Sequence, residues 1–166
     1  MIECSFRPDD MKTGWFAANM KDQSHSAPEP RTYEISDDPR SAQRKTVLIL
    51  EDDHEFAAML KETLEEQDYR VSVVSNGTTG VQQILAADFD AILCDMVMPN
   101  FPGDMFYLAV QRARPHLCRR FIFMTGFQGD PKVSKFLESV QNRVLAKPFE
   151  MRHLFHALEA VVGRSR

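Results

Sequence analysis

Glu51, Asp52, Asp95, Thr125 and Lys147 are far apart along the chain but carry complementary chemistry. Each ends an apolar run. Glu51, Asp52 and Asp53 follow Val47-Leu48-Ile49-Leu50, and Asp95 follows Ala91-Ile92-Leu93-Cys94. Thr125 ends Phe121 to Met124, and Lys147 ends Val144-Leu145-Ala146. Carboxylates at contact distance repel, and their protonation becomes coupled. A hard cation relieves that repulsion, and Mg²⁺ suits a shallow site of one or two carboxylates, several waters and a phosphate. A carboxylate can accept a phosphoryl group as an acyl phosphate. A lysine ammonium pairs with phosphate oxygens, and a threonine hydroxyl donates to another. Alone, an Asp at a strand end is usually a cap or a solvated loop residue, and Asp53 is expected to cap the next helix. The signal is four strand ends with compatible chemistry.

The elements that must carry these residues alternate from Thr46 onward. Val47–Leu50 is an apolar run bounded by charge, hence a strand buried on both faces. Phe56, Met59, Leu60 and Leu64 follow at helical spacing. Val71, Val73 and Val74 mark a second strand, and Gly77 to Ala87 a helix with Val81, Ile84 and Leu85 inward. Ala91–Cys94 is the third strand, Asp104 to Arg114 a helix, and Phe121–Met124 the fourth strand. Pro131 opens a helix with Val133, Phe136, Leu137 and Val140 on one face. Val144–Ala146 is the fifth strand. The last helix starts near Glu150, with Met151, Leu154, Phe155, Leu158, Val161 and Val162 inward. Five strands alternating with five helices imply an α/β fold of parallel βαβ units with right-handed crossovers. In such a sheet the carboxyl ends share one edge, where ligands bind.

Residues 1–43 differ in kind. Pro8, Pro28, Pro30 and Pro39 fall there amid Asp, Ser, Glu and Arg, with Ile2 and Ile35 the only branched aliphatics. Such a segment buries too little apolar surface to offset its ordering entropy and is expected to be a disordered arm before a domain at 44–166. Met11 to Met20 holds the only tryptophan, Trp15. It reads as a short docking segment, as incidental aromatics in a tail, or as unselected residues after an upstream start codon.

The 166 residues carry a formal net charge of −4. That opposes direct DNA binding, which needs a basic face. Cys4, Cys94 and Cys118 are odd in number and form no CxxC pair; Cys94 reads as a small buried hydrophobe in a reducing compartment. No apolar stretch reaches the roughly 20 residues of a membrane helix, and the N-terminus is not a secretory signal. A cytoplasmic protein without membrane contact is expected.

The segments Val47 to Asp53, Asp90 to Pro99, Phe123-Met124-Thr125-Gly126 and Leu145-Ala146-Lys147-Pro148-Phe149 resemble the receiver domain of two-component response regulators, over residues 45–163. Asp-x-x-Met-Pro together with Lys-Pro-Phe is the specific part, and the separations between Asp52, Asp95, Thr125 and Lys147 are typical of that family. The resemblance implies a flavodoxin-like doubly wound five-stranded sheet of order 2-1-3-4-5. It implies that Asp95 is the phosphoacceptor. Asp52 and Asp95 would ligate Mg²⁺, Glu51 would act through a water, and Val97 would give its backbone carbonyl. Thr125 and Lys147 would bind phosphoryl oxygens, Gly126 would leave room for entry, and the peptide before Pro148 would be cis. Three residues before the lysine the family often has an inward-turning aromatic. Here it is Val144, which has no long lever; either the aromatic switch is absent or any apolar residue suffices.

The implied function is a signalling role rather than enzymic turnover: a phosphohistidine of a histidine kinase or histidine phosphotransfer protein donates to Asp95, and protein–protein contacts switch. The downstream target is open. A monomer or a weak phosphorylation-dependent dimer is expected. The chain ends just after the last helix, so a stand-alone receiver is expected; a receiver fragment of a hybrid histidine kinase and a non-phosphorylated scaffold are the alternatives. Lys132, Lys135, Arg143 and Arg152 could meet an acidic partner or form solvated helix faces. His153 and His156 lack the i, i+4 spacing of a metal pair and read as surface residues. A phosphatase with an Asp nucleophile would want a second acid at the position of Val97. No Gly-rich nucleotide loop is present.

Overall fold

The computed structural model describes residues 44–99, 101–126 and 129–163; the arm and its Trp15 segment lie outside the described residues. The elements are β1 (Thr46–Leu50), α1 (His54–Glu66), β2 (Arg70–Val74), α2 (Gly77–Ala86), β3 (Ala91–Asp95), α3 (Gly103–Ala113), β4 (Phe121–Thr125), α4 (Pro131–Ser139), β5 (Arg143–Ala146) and α5 (Met151–Val162). All neighbouring strands pair in parallel, in the order β2-β1-β3-β4-β5. This is the flavodoxin-like doubly wound sheet expected. One element escaped the sequence reading: a 3₁₀ turn, Pro115–Arg120, between α3 and β4. Proline cannot continue α3 but can open a new turn.

Pleating sends alternate residues to opposite faces. Val47, Ile49, Ala91, Leu93, Ile122, Met124 and Leu145 pack with Leu60 and Leu64 of α1 and Leu154 and Leu158 of α5. Leu48, Leu50, Ile92, Cys94, Phe121 and Phe123 pack with Ile84, Phe106 and Val110 of α2 and α3. β3 and β4 are buried along their whole length, and each fully buried Leu, Ile or Phe contributes about 1.5–3 kcal/mol of transfer free energy. On the second face Phe136 of α4 stands edge-on to Tyr107 and Phe123, at centroid distances of 5.6 and 5.4 Å. Among the described residues no helix is long and apolar enough to cross a membrane.

Leu85, expected inward, and Met59, at helical spacing with the buried residues of α1, both lie off the buried seams. Met59 is 42% exposed and Leu85 56% exposed. The buried seam of α1 is Ala57, Leu60 and Leu64, and that of α2 is Gly77, Gly80 and Ile84. Each misplaced residue adjoins a seam residue in sequence and so lies about 100° around the helix from it.

Before α3 the chain folds tightly against β3. Gly103 N donates to Met96 O at 3.2 Å, after Met96 N has donated to Met124 O at 2.9 Å. A Cβ on Gly103 would overlap the Asp95 carbonyl oxygen and stand 3.0 Å from Met96 Cα. Both obstacles are backbone, so neither can swing away. Gly103→Ala is expected to destabilise the domain by about 1–3 kcal/mol, as overpacking does. Gly129→Ala meets nothing within 4 Å and serves as the near-neutral control. Urea unfolding of the two variants checks this.

Candidate functional site

Strand parity explains which side chains meet. Val47, Ile49 and Glu51 share one alternation; so do Ala91, Leu93 and Asp95, and Leu145 and Lys147. The apolar members of all three sets face α1 and α5. The ladder continues past the strand ends, since Glu51 N donates to Val74 O at 3.1 Å and Lys147 N to Thr125 O at 2.8 Å. Glu51, Asp95 and Lys147 therefore emerge on one side of the carboxyl edge. Thr125 follows the opposite parity, that of Phe121 and Phe123.

The geometry is compact. Lys147 Nζ donates to Glu51 Oε2 at 2.6 Å and to Asp95 Oδ2 at 2.8 Å. Asp95 Oδ1 accepts from Val97 N at 3.1 Å. Glu51, Asp52 and Asp95 each offer a carboxylate oxygen, and these oxygens lie within 4.8 Å of one another. Glu51, Asp95 and Thr125 are buried, at 1%, 6% and 3% exposure, so their contacts act away from bulk water. Asp53 stands apart: its Oδ1 caps α1, accepting from Glu55 N and Phe56 N at 3.0 Å each.

Two acids and one ammonium leave a net negative charge in poor solvent. Burial pushes the Glu51 carboxyl up to about 7, against the hydrogen bond from Lys147 that pulls it down. Burial alone would lower Lys147, but its hydrogen bonds to Asp95 and Glu51 outweigh that and hold the ammonium above its usual value. The arrangement suits a hard cation, whose charge offsets clustered carboxylates, and an anionic group approaching Asp95.

Gly126 follows β4 and is exposed; a Cβ there would come no closer than 3.9 Å to Lys147 Cβ. The Val97 side chain is 53% exposed. Val144 is 42% exposed on β5, in register with Phe123. The Lys147–Pro148 peptide is cis. His153 and His156 are exposed on α5. Sequence reasoning missed two supports: Gly103, packed beneath the Asp95 backbone, and Phe56, read only as a core residue of α1.

The model of the response regulator receiver domain family matches residues 47–159. The chain is 28% identical over 118 residues to the response regulator receiver protein CpdR of Brucella abortus (strain 2308), covering 71% of this chain and 97% of CpdR. It is 27% identical to response regulator ArlR of Staphylococcus haemolyticus (strain JCSC1435), covering 71% of this chain and 52% of ArlR. It thus spans nearly all of one relative and about half of the other. A putative response regulator from Chloroflexus aurantiacus J-10-fl superposes with TM-score 0.65 at 30% identity, over 73% of this chain and 99% of that one. The receiver domain of sensor histidine kinase PA1611 from Pseudomonas aeruginosa PAO1, solved with a magnesium ion coordinated in its active site cleft, gives 0.65 at 25% identity, over 72% and 98%. The chain belongs to the receiver domain family of response regulators.

Removing the ammonium would leave two buried carboxylates facing each other. Glu51 binds its proton more tightly folded than unfolded, so its contribution to stability falls as pH rises from 4.5 to about 7. Lys147→Met should steepen that fall. In metal-free buffer the loss is expected at about 1–3 kcal/mol near pH 8 and less near pH 5, where Glu51 is protonated. Urea unfolding at the two pH values measures it.

Proposed function

We propose that Asp95 accepts a phosphoryl group from the phosphohistidine of a histidine kinase or histidine phosphotransfer protein, and that the change in charge switches contacts with a downstream protein. The observation that carries this reading is the bridge from Lys147 to both Glu51 and Asp95, with Asp52 in the same carboxylate cluster. Three acids and one lysine leave this edge with excess negative charge, which a bound cation would offset.

The carboxylate cluster of Glu51, Asp52 and Asp95 fits Mg²⁺: Asp52 and Asp95 would be direct ligands, Glu51 would act through a water, and Val97 would give its carbonyl. When bound, the cation lowers the negative charge met by the incoming group and orients it. An Asp95 carboxylate oxygen attacks phosphorus, the P–N bond breaks, and the imidazole leaves with the bonding pair. Lys147, already hydrogen-bonded to that carboxylate, would take a phosphoryl oxygen. Thr125, at the end of β4, donates to another, and Gly126 leaves the entry open. With Val144 exposed on β5, the signal passes through Thr125 and the loop toward α4 without an aromatic lever. The outcome is a shift between two populations of the surface.

In this reading the domain is a signalling protein and not a turnover enzyme. It acts in the cytoplasm, as a monomer or a weak phosphorylation-dependent dimer, and does not itself bind DNA. A receiver within a hybrid histidine kinase would use the same five residues. The complete set argues against a silent scaffold. With acetyl phosphate and Mg²⁺, the intact mass should rise by about 80 Da, one phosphoryl group. Asp95→Asn should show no gain; a gain in that variant would refute the assignment. Asp52→Asn should weaken Mg²⁺ binding, measured by titration calorimetry.

A further inference from the structure

An ammonium has three N–H donors. Two of those on Lys147 go to Glu51 and Asp95. Its other side meets the ring of Phe56, with Nζ 4.6 Å from the centroid. That is within the roughly 6 Å over which a ring face attracts a cation. The ring is itself held. Phe149, two residues past Lys147, stands edge-on to it at 5.9 Å and 68°. The Phe56 backbone N–H is fixed by Asp53 Oδ1 at 3.0 Å. Phe56, Phe149 and Met151 pack against the same apolar face as α1 and α5. The acidic run at the end of β1 thus does three things in order. Glu51 binds the lysine, Asp52 joins the carboxylate cluster, and Asp53 anchors the residue whose ring covers that lysine.

We propose that Phe56 is a positioning residue for Lys147. Its ring face pins the ammonium beside Asp95 and shields it from water, so that the cation stays in place when the Asp95 oxygen is lost to the acyl phosphate. Lys147 must then exchange a carboxylate oxygen for a phosphoryl oxygen. With Glu51 on one side and the ring on the other, only that one partner changes. A leucine at 56 would keep apolar bulk but offer no quadrupole, and the ammonium would be more hydrated and less confined. That Phe56 tunes transfer rests on Asp95 being the acceptor; that it pins the ammonium does not.

Two measurements separate these. In proton NMR the Lys147 Hε resonances, assigned by their loss in Lys147→Met, should lie upfield from the ring current and return to ordinary values in Phe56→Leu. With acetyl phosphate and Mg²⁺, Phe56→Leu should be phosphorylated about 3- to 10-fold more slowly, the size of a partly shielded cation–π contact. Phe56→Tyr, which keeps the ring, should restore the rate, and Mg²⁺ affinity should be the same in all three. Should Phe56→Leu fold poorly, Phe56→Met is a second ringless variant. Hε resonances that do not respond to loss of the ring would overturn the pinning. A lost ring-current shift with an unchanged rate, or a slowed rate that Phe56→Tyr does not restore, would overturn the positioning role. A wild-type protein that takes up no phosphoryl group would overturn Asp95 as acceptor and the kinetic role together, while the NMR shift still decides the contact.

Discussion

One ammonium holds the carboxyl edge together. Lys147 lies between Glu51 and Asp95, both nearly inaccessible to water. Without it, two acids would face each other in a medium far less screening than water. Even with it, burial outweighs the hydrogen bond from Lys147, and the Asp95 charge adds to the upward push on the Glu51 carboxyl. A site in that condition is poised. It gains from any further positive charge, and it already has a hydrogen-bond donor beside the atom that would react.

The sheet makes this possible by bringing distant residues to neighbouring strand ends. Lys147 and Glu51 are 96 positions apart, and Lys147 and Asp95 are 52 apart. β1 and β3 are neighbours, and β4 separates β3 from β5. The lysine reaches across β4 because its stem is long and because all three residues leave the sheet on the same side. An apolar edge would be more stable. The acids persist at a cost that β1, β3 and β4, each packed on both faces, can carry.

Much of this was legible in the sequence, for a physical reason. Parallel strands buried on both faces read as unbroken apolar runs, and polar residues stand out at their ends. The strand order and the acid–lysine cluster followed from those runs and from the receiver resemblance. The helices were less legible. Met59 and Leu85 are as apolar as their buried neighbours, and only packing shows which lies on the seam. The ring of Phe56 over Lys147 was also out of reach. It joins residues from α1 and the turn after β5, and a phenylalanine at a helical core position carries no mark of a second use. The 3₁₀ turn after α3 offered only Pro115 as a cue.

Parity sets Thr125 apart from its partners. Glu51, Asp95 and Lys147 belong to the layer packed on α1 and α5, whereas Thr125 continues the row of Phe121 and Phe123 on the layer of α2, α3 and α4. Among the described residues the two apolar layers lie on opposite faces of the sheet and share no side chains. A group held jointly by Asp95 and Thr125 would therefore act as a rivet through the sheet, giving the separately packed halves a mechanical connection at this edge. On that second layer the rings of Tyr107, Phe123 and Phe136 pack α4 onto the face of the sheet from which Thr125 projects.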